Sequence, residues 1–216
     1  MHYGNLQKVK PGKERKYSIT PHIQGGFISC EKLENLAKVA KKYNGVIKIN
    51  SGQRILITNL KEEDLPAVWK ELDMEPAVYA VNSVKNIEMC PAEFCKRCKV
   101  NTMPIAMKLM KKYGRKEMPC RTKIGVAACR NACGSVYSKD VGVIGDKNGL
   151  MVVAGGSGGY HPRVADIIKD KLSEEEALKI IDNIFEFYKD KAELGEKLSF
   201  MIERIGLEIF KENVIK

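Results

Sequence analysis

The distribution of cysteine constrains this chain more than any other feature of its sequence. Six of the seven cysteines lie between residues 90 and 133, and only Cys30 lies outside that stretch. The N-terminal sequence is polar and basic and lacks the apolar core of a secretory signal, which indicates a cytoplasmic, reducing compartment. Clustered thiols in such a compartment point to metal or redox chemistry, and the odd total argues against a disulfide framework.

The clustered cysteines form two close pairs. Cys90 and Cys95 have four residues between them, and Cys129 and Cys133 have three. Four thiolates that converge from two such pairs suit either a [4Fe–4S] cluster or a tetrahedral zinc ion. Cys98 follows Cys95 at the spacing of a zinc knuckle, but no second knuckle exists, so the spacing leaves both metals open.

The composition excludes several classes of protein. The chain has 216 residues, enough for one large domain or two small domains, with 44% hydrophobic and 30% charged residues. No apolar run approaches the ~20 residues that span a bilayer, so we expect no membrane association. The net charge of +10 comes from scattered lysines and arginines without interleaved aromatic residues. We therefore expect a solvated basic surface and no nucleic-acid partner.

Hydrophobic periodicity predicts a compact α/β half-domain over residues 16–82, with its helices on one face of a sheet and residues 1–15 as a flexible N-terminal arm. The first helix is expected to begin at the cap Ser29 and to bury Leu33, Leu36, Ala37 and Ala40. The predicted elements are an extended Tyr17–Ile23, a helix from about Glu31 to Tyr43, strands Val46–Ile49 and Ile55–Ile57, a helix from about Glu62 to Leu72, and a strand Val78–Val81.

The sequence pattern of residues 83–216 predicts a second region of strands followed by helices. The capping box Ser173-x-x-Glu176 opens one of its helices. The last helix is expected to turn Leu198, Met201, Ile205 and Ile209 inward. The predicted elements are a helix from about Cys95 to Tyr113 that bends near Pro104, a strand Thr122–Ala127, a hairpin of Asp140–Ile144 and Leu150–Ala154, a short helix after Arg163, a helix from Ser173 to about Asp190, and a helix from Glu196 to about Lys211.

Three stretches together resemble one family. KIGVAACRNACGSVYSKDVGVIG, with MCPAEFC upstream, is similar to the siroheme-containing sulfite and nitrite reductases. ITPHIQGGFISCEKLENLAKVAKKYNGVIKINSGQRILI resembles their ferredoxin-like half-domain, and GEKLSFMIERIGLEIF resembles their closing helix. The resemblance implies an α+β fold, in which a ferredoxin-like half-domain precedes an α/β siroheme and [4Fe–4S] domain with C-terminal helices. The chain resembles a small member with a single half-domain.

The resemblance also implies the cofactor ligands. In that family the two cysteine pairs hold the [4Fe–4S] cluster, which assigns Cys90, Cys95, Cys129 and Cys133 as ligands. The last cysteine of the set, Cys133, would also bind the siroheme iron. The family usually has five residues within the first pair, whereas this chain has four, so Cys98 remains an alternative ligand.

Further residues are candidates for binding siroheme, which carries many carboxylates. Asn131 lies inside the second cysteine pair and matches a family residue beside the macrocycle, although asparagine is also a turn former. Gln53 matches the glutamine of a T-x-R-Q-like family motif. Gly156 lies in the glycine-rich run 155–159, and its backbone is expected to meet a carboxylate, unless the run is only a flexible turn. Arg163 is expected to pair with a carboxylate, unless it only solvates the start of a short helix.

Three basic residues are candidates for holding the substrate. Arg121 and Lys123 alternate on the strand that enters the second cysteine pair, so their side chains share one face. They resemble basic residues that family members place near the substrate. Glycine occupies position 52, where the T-x-R-Q-like motif has its arginine, and Arg54 is the remaining candidate in this segment.

These features favour a reductase that converts sulfite to sulfide or nitrite to ammonia. Electrons would come from a low-potential, acidic donor such as a ferredoxin, which the positive charge would attract. Because larger family members contain two half-domains, this chain either forms a homodimer or acts as a self-sufficient small reductase. The alternatives are an iron–sulfur electron-transfer subunit without siroheme and, as the weakest, a zinc-stabilised nucleic-acid-binding module.

Overall fold

The computed structural model describes residues 3–8 and 11–216. It divides into two compact units, Met1–Tyr79 and Ala80–Lys216, so the division falls three residues before the predicted boundary between 82 and 83. Residues 1, 2, 9 and 10 of the predicted arm lie outside the described residues. Asn5–Leu6, also within the predicted arm, is instead a strand paired with Tyr17 and Ser18, because its backbone groups extend the edge of the first sheet.

The first unit is a four-stranded antiparallel sheet with two helices. Its core joins buried side chains of the two central strands, such as Ile19 and Ile57, to Leu36 and Val68 of the two helices. The strand order is β1-β2-β4-β3. The elements are β1 (Asn5–Leu6), β2 (Tyr17–Ile19), α1 (Cys30–Lys42), β3 (Val46–Ile49), β4 (Ile55–Leu60) and α2 (Leu65–Leu72).

The predicted start of α1 is confirmed, but its buried face is shifted. The Ser29 hydroxyl accepts a hydrogen bond from the backbone N–H of Lys32, as an N-cap does. Leu36 and Ala40 are buried, whereas Leu33 is 44% exposed and Ala37 is also exposed. Val39 is buried in their place, so the helix meets the sheet along a narrower stripe than the periodicity predicted.

The second unit is built on a five-stranded mixed sheet in the order β5-β6-β7-β8-β9. β5, β6 and β7 run parallel, and β7, β8 and β9 are antiparallel. Its large core joins this sheet to the helices. The elements are β5 (Val84–Met89), α3 (Met103–Tyr113), β6 (Thr122–Ala127), β7 (Val141–Asp146), β8 (Gly149–Ala154), β9 (Asp166–Leu172), α4 (Glu174–Lys191), α5 (Leu198–Ile205) and α6 (Leu207–Val214).

Two predictions at the start of this unit are wrong. The predicted strand Val78–Val81 is irregular, with Val81 81% exposed, and the strand is β5 a few residues later. The helix predicted from Cys95 begins at Met103, because Pro104 occupies its first turn rather than its interior. Proline lacks a backbone N–H and its ring clashes with the preceding turn, so it starts helices more readily than it continues them.

The short helix predicted after Arg163 is also wrong, because that segment forms β9. β9 pairs antiparallel with β8 and buries Ile168 and Leu172. Its other residues are mostly charged or exposed, as is common for a strand at the edge of a sheet. Charged side chains on such a strand mimic the polar face of a helix, which explains the error.

The hairpin of β7 and β8 is confirmed, with Asp146 paired to Gly149 across its turn. The capping box is confirmed too: Ser173 and Glu176 exchange both of its hydrogen bonds at the start of α4. The single C-terminal helix is wrong, because Gly206 adopts a φ of 91° and separates α5 from α6. The break changes the phase of the helix, so Ile209 is 54% exposed.

No helix in the described part of the chain combines the length and apolarity needed to cross a membrane.

Candidate metal centre and anion pocket

The pairing of two parallel strands brings the two cysteine pairs to one edge of the sheet. Cys90 directly follows β5, and Cys129 follows β6 after one intervening residue. The backbone N–H of Cys90 donates to the carbonyl of Val126 at 3.0 Å, which continues the parallel ladder beyond β5. Because the carboxyl ends of parallel strands meet at the same edge, cysteines far apart in the sequence become neighbours.

Backbone and side-chain donors surround two of the predicted ligand sulfurs. The Sγ atom of Cys90 accepts hydrogen bonds from the N–H groups of Ala128 at 3.1 Å and Ala92 at 3.4 Å. The Nδ2 group of Asn131 donates to Cys133 Sγ at 2.9 Å. Donors of this kind stabilise a thiolate, and they are typical of the hydrogen bonds that orient metal ligands.

Cys98 lies among the predicted ligands but is engaged differently. Its thiol donates a hydrogen bond to the carbonyl of Val100 at 3.3 Å. Its burial, followed by negative charge on Cys90, Glu93, Cys129 and Cys95, raises the pKa of the Cys98 thiol. Three of the four predicted ligands are therefore its electrostatic neighbours, while Cys98 itself is held as a protonated donor.

The predicted ligands are thiols, which suit both a [4Fe–4S] cluster and a structural zinc ion. All seven cysteines are free thiols. Within residues 3–8 and 11–216, no three histidine, cysteine, aspartate or glutamate side chains are grouped so that they could hold one metal ion. A structural zinc needs four donors about 2.0–2.3 Å from a single point. In a [4Fe–4S] cubane each thiolate binds a different iron, so its ligands stand farther apart.

Cys133 differs from the other three predicted ligands in its exposure. Cys90, Cys95 and Cys129 are half-buried, whereas Cys133 is exposed at the end of its turn. The turn is tight, since buried Ala132 within it adopts a left-handed φ of 47°. Cys133 is thus the most accessible of the four predicted ligands.

A cavity of about 250 Å³ lies in the second unit. It brings together three of the residues predicted from the sequence, namely Arg121, Lys123 and Gly156. Sequence reasoning missed Lys197, Asp140 and Ser138, and only the resemblance of the C-terminal stretch pointed near Lys197. The full lining consists of Arg121, Lys123, Ser138, Asp140, Gly156, Ser157, Gly158, Gly159 and Lys197.

A buried carboxylate anchors the cationic strand at this cavity. The Oδ2 atom of Asp140 accepts the backbone N–H of Lys123 at 2.8 Å. Burial raises the pKa of Asp140, and its hydrogen bond from Lys123 together with the charge of Lys197 opposes that rise. Burial also lowers the pKa of the half-buried Lys123, and the charge of Lys139 adds to this effect.

Lys139 belongs to a buried ion pair whose two charges act on Lys123. Its Nζ atom lies 2.7 Å from Oε2 of Glu88 on β5, and the two side chains are only 9% and 5% exposed. The stem of Lys139 passes over Gly125 of β6, at 3.0 Å from where a Cβ would stand. The pair therefore ties β5, β6 and the segment before β7 together.

Gly156 has a packing requirement of its own. A Cβ at this position would stand 2.4 Å from the carbonyl oxygen of Tyr137 and 2.5 Å from that of Lys139, whereas one at Gly158 would meet nothing closer than 3.5 Å. We expect Gly156→Ala to destabilise the cofactor-free protein by about 1–3 kcal/mol, as overpacking does. Gly158→Ala is the matched control, and urea denaturation followed by circular dichroism measures both. Equal stability of the two variants would contradict the packing role.

The structure does not bring the remaining candidates into the cavity. Arg163 donates to the carbonyl of Gly155 at 2.8 Å and pairs with Asp166 at 2.5 Å and Glu203 at 3.0 Å. Its guanidinium therefore stabilises the loop between β8 and β9. Its predicted contact with siroheme stays a prediction, as does that of Asn131.

Gln53 and Arg54 lie in the first unit, in the turn between β3 and β4. The side-chain oxygen of Asn50 organises this turn by accepting the N–H groups of Gly52 at 2.9 Å and Arg54 at 3.2 Å. Gln53 adopts a left-handed φ of 56° there. The roles predicted for Gln53 and Arg54 stay predictions.

Comparison with known proteins identifies the family. Residues 80–216 match the family model of the nitrite and sulphite reductase 4Fe-4S domain. Residues 10–75 match that of the nitrite/sulfite reductase ferredoxin-like half domain. The two matches follow the two structural units closely.

Curated relatives agree with this assignment. An assimilatory-type sulfite reductase of Nitratidesulfovibrio vulgaris is 30% identical over 201 residues, which cover 92% of this chain and 92% of the relative. The nitrite reductase [NAD(P)H] of Bacillus subtilis is 34% identical over 208 residues, covering 95% of this chain but 25% of the relative. This chain therefore spans nearly all of the first relative and a quarter of the second.

Solved structures share the fold at low sequence identity. Dissimilatory sulfite reductase I superposes with a TM-score of 0.81 at 12% identity, covering 93% of this chain and 69% of that chain. The NirA protein of Mycobacterium tuberculosis superposes with a TM-score of 0.76 at 16% identity, covering 93% and 40%. The α+β fold expected from the sequence is confirmed.

The chain belongs to the nitrite and sulphite reductase 4Fe-4S domain family. Its relatives by sequence are oxidoreductases acting on sulfite or nitrite, and its second unit matches a domain defined by a [4Fe–4S] cluster. It is accordingly an iron–sulfur protein of an oxidoreductase family.

Proposed function

We propose that this chain reduces sulfite to sulfide, or nitrite to ammonia, at a siroheme coupled through Cys133 to a [4Fe–4S] cluster on Cys90, Cys95, Cys129 and Cys133. The convergence of the cysteine pairs at the ends of β5 and β6, with N–H donors on Cys90 Sγ, carries the proposal. Sulfite is favoured because a relative matched over 92% of its own length is named a sulfite reductase.

The residues around the cysteines and those of the cavity would have distinct roles. Siroheme, when bound, would supply the iron that takes the substrate anion and passes it electrons. Asn131 holds the Cys133 sulfur through its 2.9 Å hydrogen bond, which orients this thiolate toward its second partner. Arg121 and Lys123 hold the substrate oxygens by charge-assisted hydrogen bonds, and Lys123, with a lowered pKa, gives up protons more readily than an ordinary lysine.

The visible absorption spectrum tests the proposal. Protein from a siroheme-producing host is expected to show a Soret band and a red chlorin-type band together with the broad absorption of the cluster. A cluster spectrum without tetrapyrrole bands would support the alternative, an electron-transfer subunit; one relative, 24% identical, is named an assimilatory nitrate reductase electron transfer subunit. A colourless protein would contradict both.

The identity of the second ligand can be tested by a matched pair of variants. We expect Cys95→Ala to lose the [4Fe–4S] cluster, whereas Cys98→Ala keeps it, because the Cys98 thiol already donates to Val100. Iron and acid-labile sulfide per chain, with the electron paramagnetic resonance spectrum after reduction, measure the outcome. Retention in the first variant and loss in the second would reverse the assignment.

We further propose that an acidic, low-potential donor such as a ferredoxin docks beside the cluster. Lys96, Arg97 and Lys99 are exposed on the segment around Cys95 and Cys98, and Phe94 beside them is 77% exposed. Lys99 is tied by its N–H to the carbonyl of Ala128 at 2.9 Å, which joins this segment to the second cysteine pair.

Charges around the second pair extend this basic surface. Arg130 and Lys147 are exposed, although Arg130 is paired with Asp146 at 2.6 Å. This basic surface also contains two acidic residues, Glu93 and Asp146. They are outnumbered by five cations, so the surface is positive: Lys96, Arg97, Lys99, Arg130 and Lys147. A positive surface with an exposed aromatic residue, close to the cluster, favours an acidic protein as partner.

Charge reversal tests the docking surface. We expect Lys96→Glu combined with Lys99→Glu to raise the KM for reduced ferredoxin about tenfold and to weaken its dependence on salt, because steering by opposite charges is lost. The rate with dithionite-reduced methyl viologen should stay unchanged. Lys179→Glu, on the exposed side of α4, is the control. An equal effect of the control would place docking elsewhere.

Oligomeric state and compartment complete the proposal. We propose that the protein works in a reducing, cytoplasmic compartment, which its seven free thiols favour. We also propose that it forms a homodimer. Sedimentation velocity of the loaded protein is expected to give twice the chain mass of 24.2 kDa. A monomer with full activity would instead identify a self-sufficient small reductase.

A further inference from the structure

Three cations line the cavity of the second unit without being held in an ion pair to any described residue. Within the described part of the chain, Arg121, Lys123 and Lys197 form no ion pair and no side-chain hydrogen bond. The neighbouring Arg163 and Arg204, by contrast, are each held by carboxylates. Three unpaired cations around one cavity of about 250 Å³ indicate a site for negative charge.

The arrangement carries an electrostatic cost in the absence of an anion. Burial is the main cause that lowers the pKa of Lys123. The charges of Lys139 and Arg121 lower it further, and those of Glu88 and Asp140 oppose the fall. Asp140 is the one carboxylate among the residues described as lining the cavity, and it is 4% exposed. It therefore balances one of the three charges, and an anion bound beside the other two would relieve the remaining repulsion.

Lys197 comes to this cavity from a distant part of the chain. It is the N-cap residue of α5, whereas Arg121 and Lys123 belong to the approach to β6 and to β6 itself. Its charge acts on Asp140, the same carboxylate that accepts the N–H of Lys123. Asp140 is thus the common neighbour through which the C-terminal segment and β6 meet at one wall of the cavity.

Glycine backbone in the lining adds further donors. Gly158 and Gly159 are exposed, and in the part of the chain that the structure describes their N–H groups donate to no protein acceptor. A Cβ at either position would meet no atom closer than 3.5 Å, so this loop leaves open space in the cavity. Consecutive open amides beside cationic side chains are a common anion-binding arrangement.

We propose that Lys197 binds an anionic oxygen group in this cavity and completes a three-cation site with Arg121 and Lys123. The proposal rests on the proposed function in one respect: the group belongs either to the sulfite substrate or to a carboxylate of siroheme. Both present negatively charged oxygens to the same donors.

Three measurements test this assignment. Each is made on four proteins, namely wild type, Lys197→Met, Lys197→Arg and a control variant. The control is Lys191→Met, since Lys191 is an exposed lysine of α4 whose ammonium group pairs with Asp190. The first measurement is the KM and kcat for sulfite of the loaded enzyme, with reduced methyl viologen as donor. The second is siroheme per chain. The third is the rise in thermal midpoint that inorganic phosphate causes in the cofactor-free protein.

A substrate contact predicts that Lys197→Met raises the KM for sulfite about tenfold at unchanged siroheme content, because a hydrogen bond to a charged group is lost. A cofactor contact predicts lower siroheme content at unchanged KM in the loaded fraction. In either case Lys197→Arg should restore the lost property, and phosphate should stabilise wild type more than Lys197→Met.

Values for Lys197→Met that match Lys191→Met in all three measurements would overturn the assignment. If wild type instead carries no siroheme and reduces no sulfite, the proposed function fails. The phosphate measurement on cofactor-free protein then decides the role of Lys197 independently, because it needs neither siroheme nor turnover.

Discussion

Cys133→Ala is expected to abolish sulfite reduction, with a loss of more than about 10³-fold, and to remove both the siroheme bands and the [4Fe–4S] spectrum. This sulfur is proposed to bind two centres at once, so its removal would open the cluster and take away the thiolate that would hold siroheme. It is the one exposed residue among the four predicted ligands, at the end of a tight turn. Iron, labile sulfide and siroheme per chain, measured with the rate, give the result.

Two matched variants serve as controls for Cys133→Ala. Cys30→Ala alters an exposed cysteine at the start of α1 in the first unit, and it should leave both centres and the rate unchanged. Asn131→Ala should keep the cluster but remove the 2.9 Å hydrogen bond to Cys133 Sγ, which predicts a shifted Soret band. A Cys133→Ala protein that retains siroheme would rule out the shared ligand and leave the electron-transfer alternative.

Lys139→Met is expected to lower the free energy of unfolding by about 3–5 kcal/mol, because it leaves the Glu88 carboxylate buried without its partner. The pair is 2.7 Å long with side chains 9% and 5% exposed, so water cannot replace the lost ammonium. Methionine keeps the stem that packs over Gly125. Urea denaturation of cofactor-free protein, followed by circular dichroism, measures the change.

The double variant Lys139→Met with Glu88→Met distinguishes a lost charge partner from lost packing. Removing both charges leaves no buried carboxylate without a partner, so the double variant should recover most of the stability lost in the single one. A double variant as unstable as Lys139→Met would assign the effect to packing. Lys112→Met, which removes an exposed pairing with Asp182, is the surface control and should change stability by less than about 1 kcal/mol.

Local signals in the sequence predicted individual elements well where one residue type has one physical use. Ser29 and the Ser173–Glu176 box supply oxygen acceptors for free helical N–H groups, and both caps form. The hairpin of β7 and β8 follows from a short polar turn between two apolar runs. The prediction of a helix after Arg163 is wrong because charged residues on an edge strand show the same pattern as the polar face of a helix.

The sequence by itself determined that this chain gathers four spaced thiols in a fold of two parts, since cysteine spacing and three family-like stretches can be recognised without coordinates. Tertiary structure alone decided which charges meet. The parallel pairing of β5 with β6 brings Cys90 to the second pair, and a buried Asp140 links Lys123 to the distant Lys197. Such encounters depend on strand register and on the burial of a few polar groups, which no local pattern encodes.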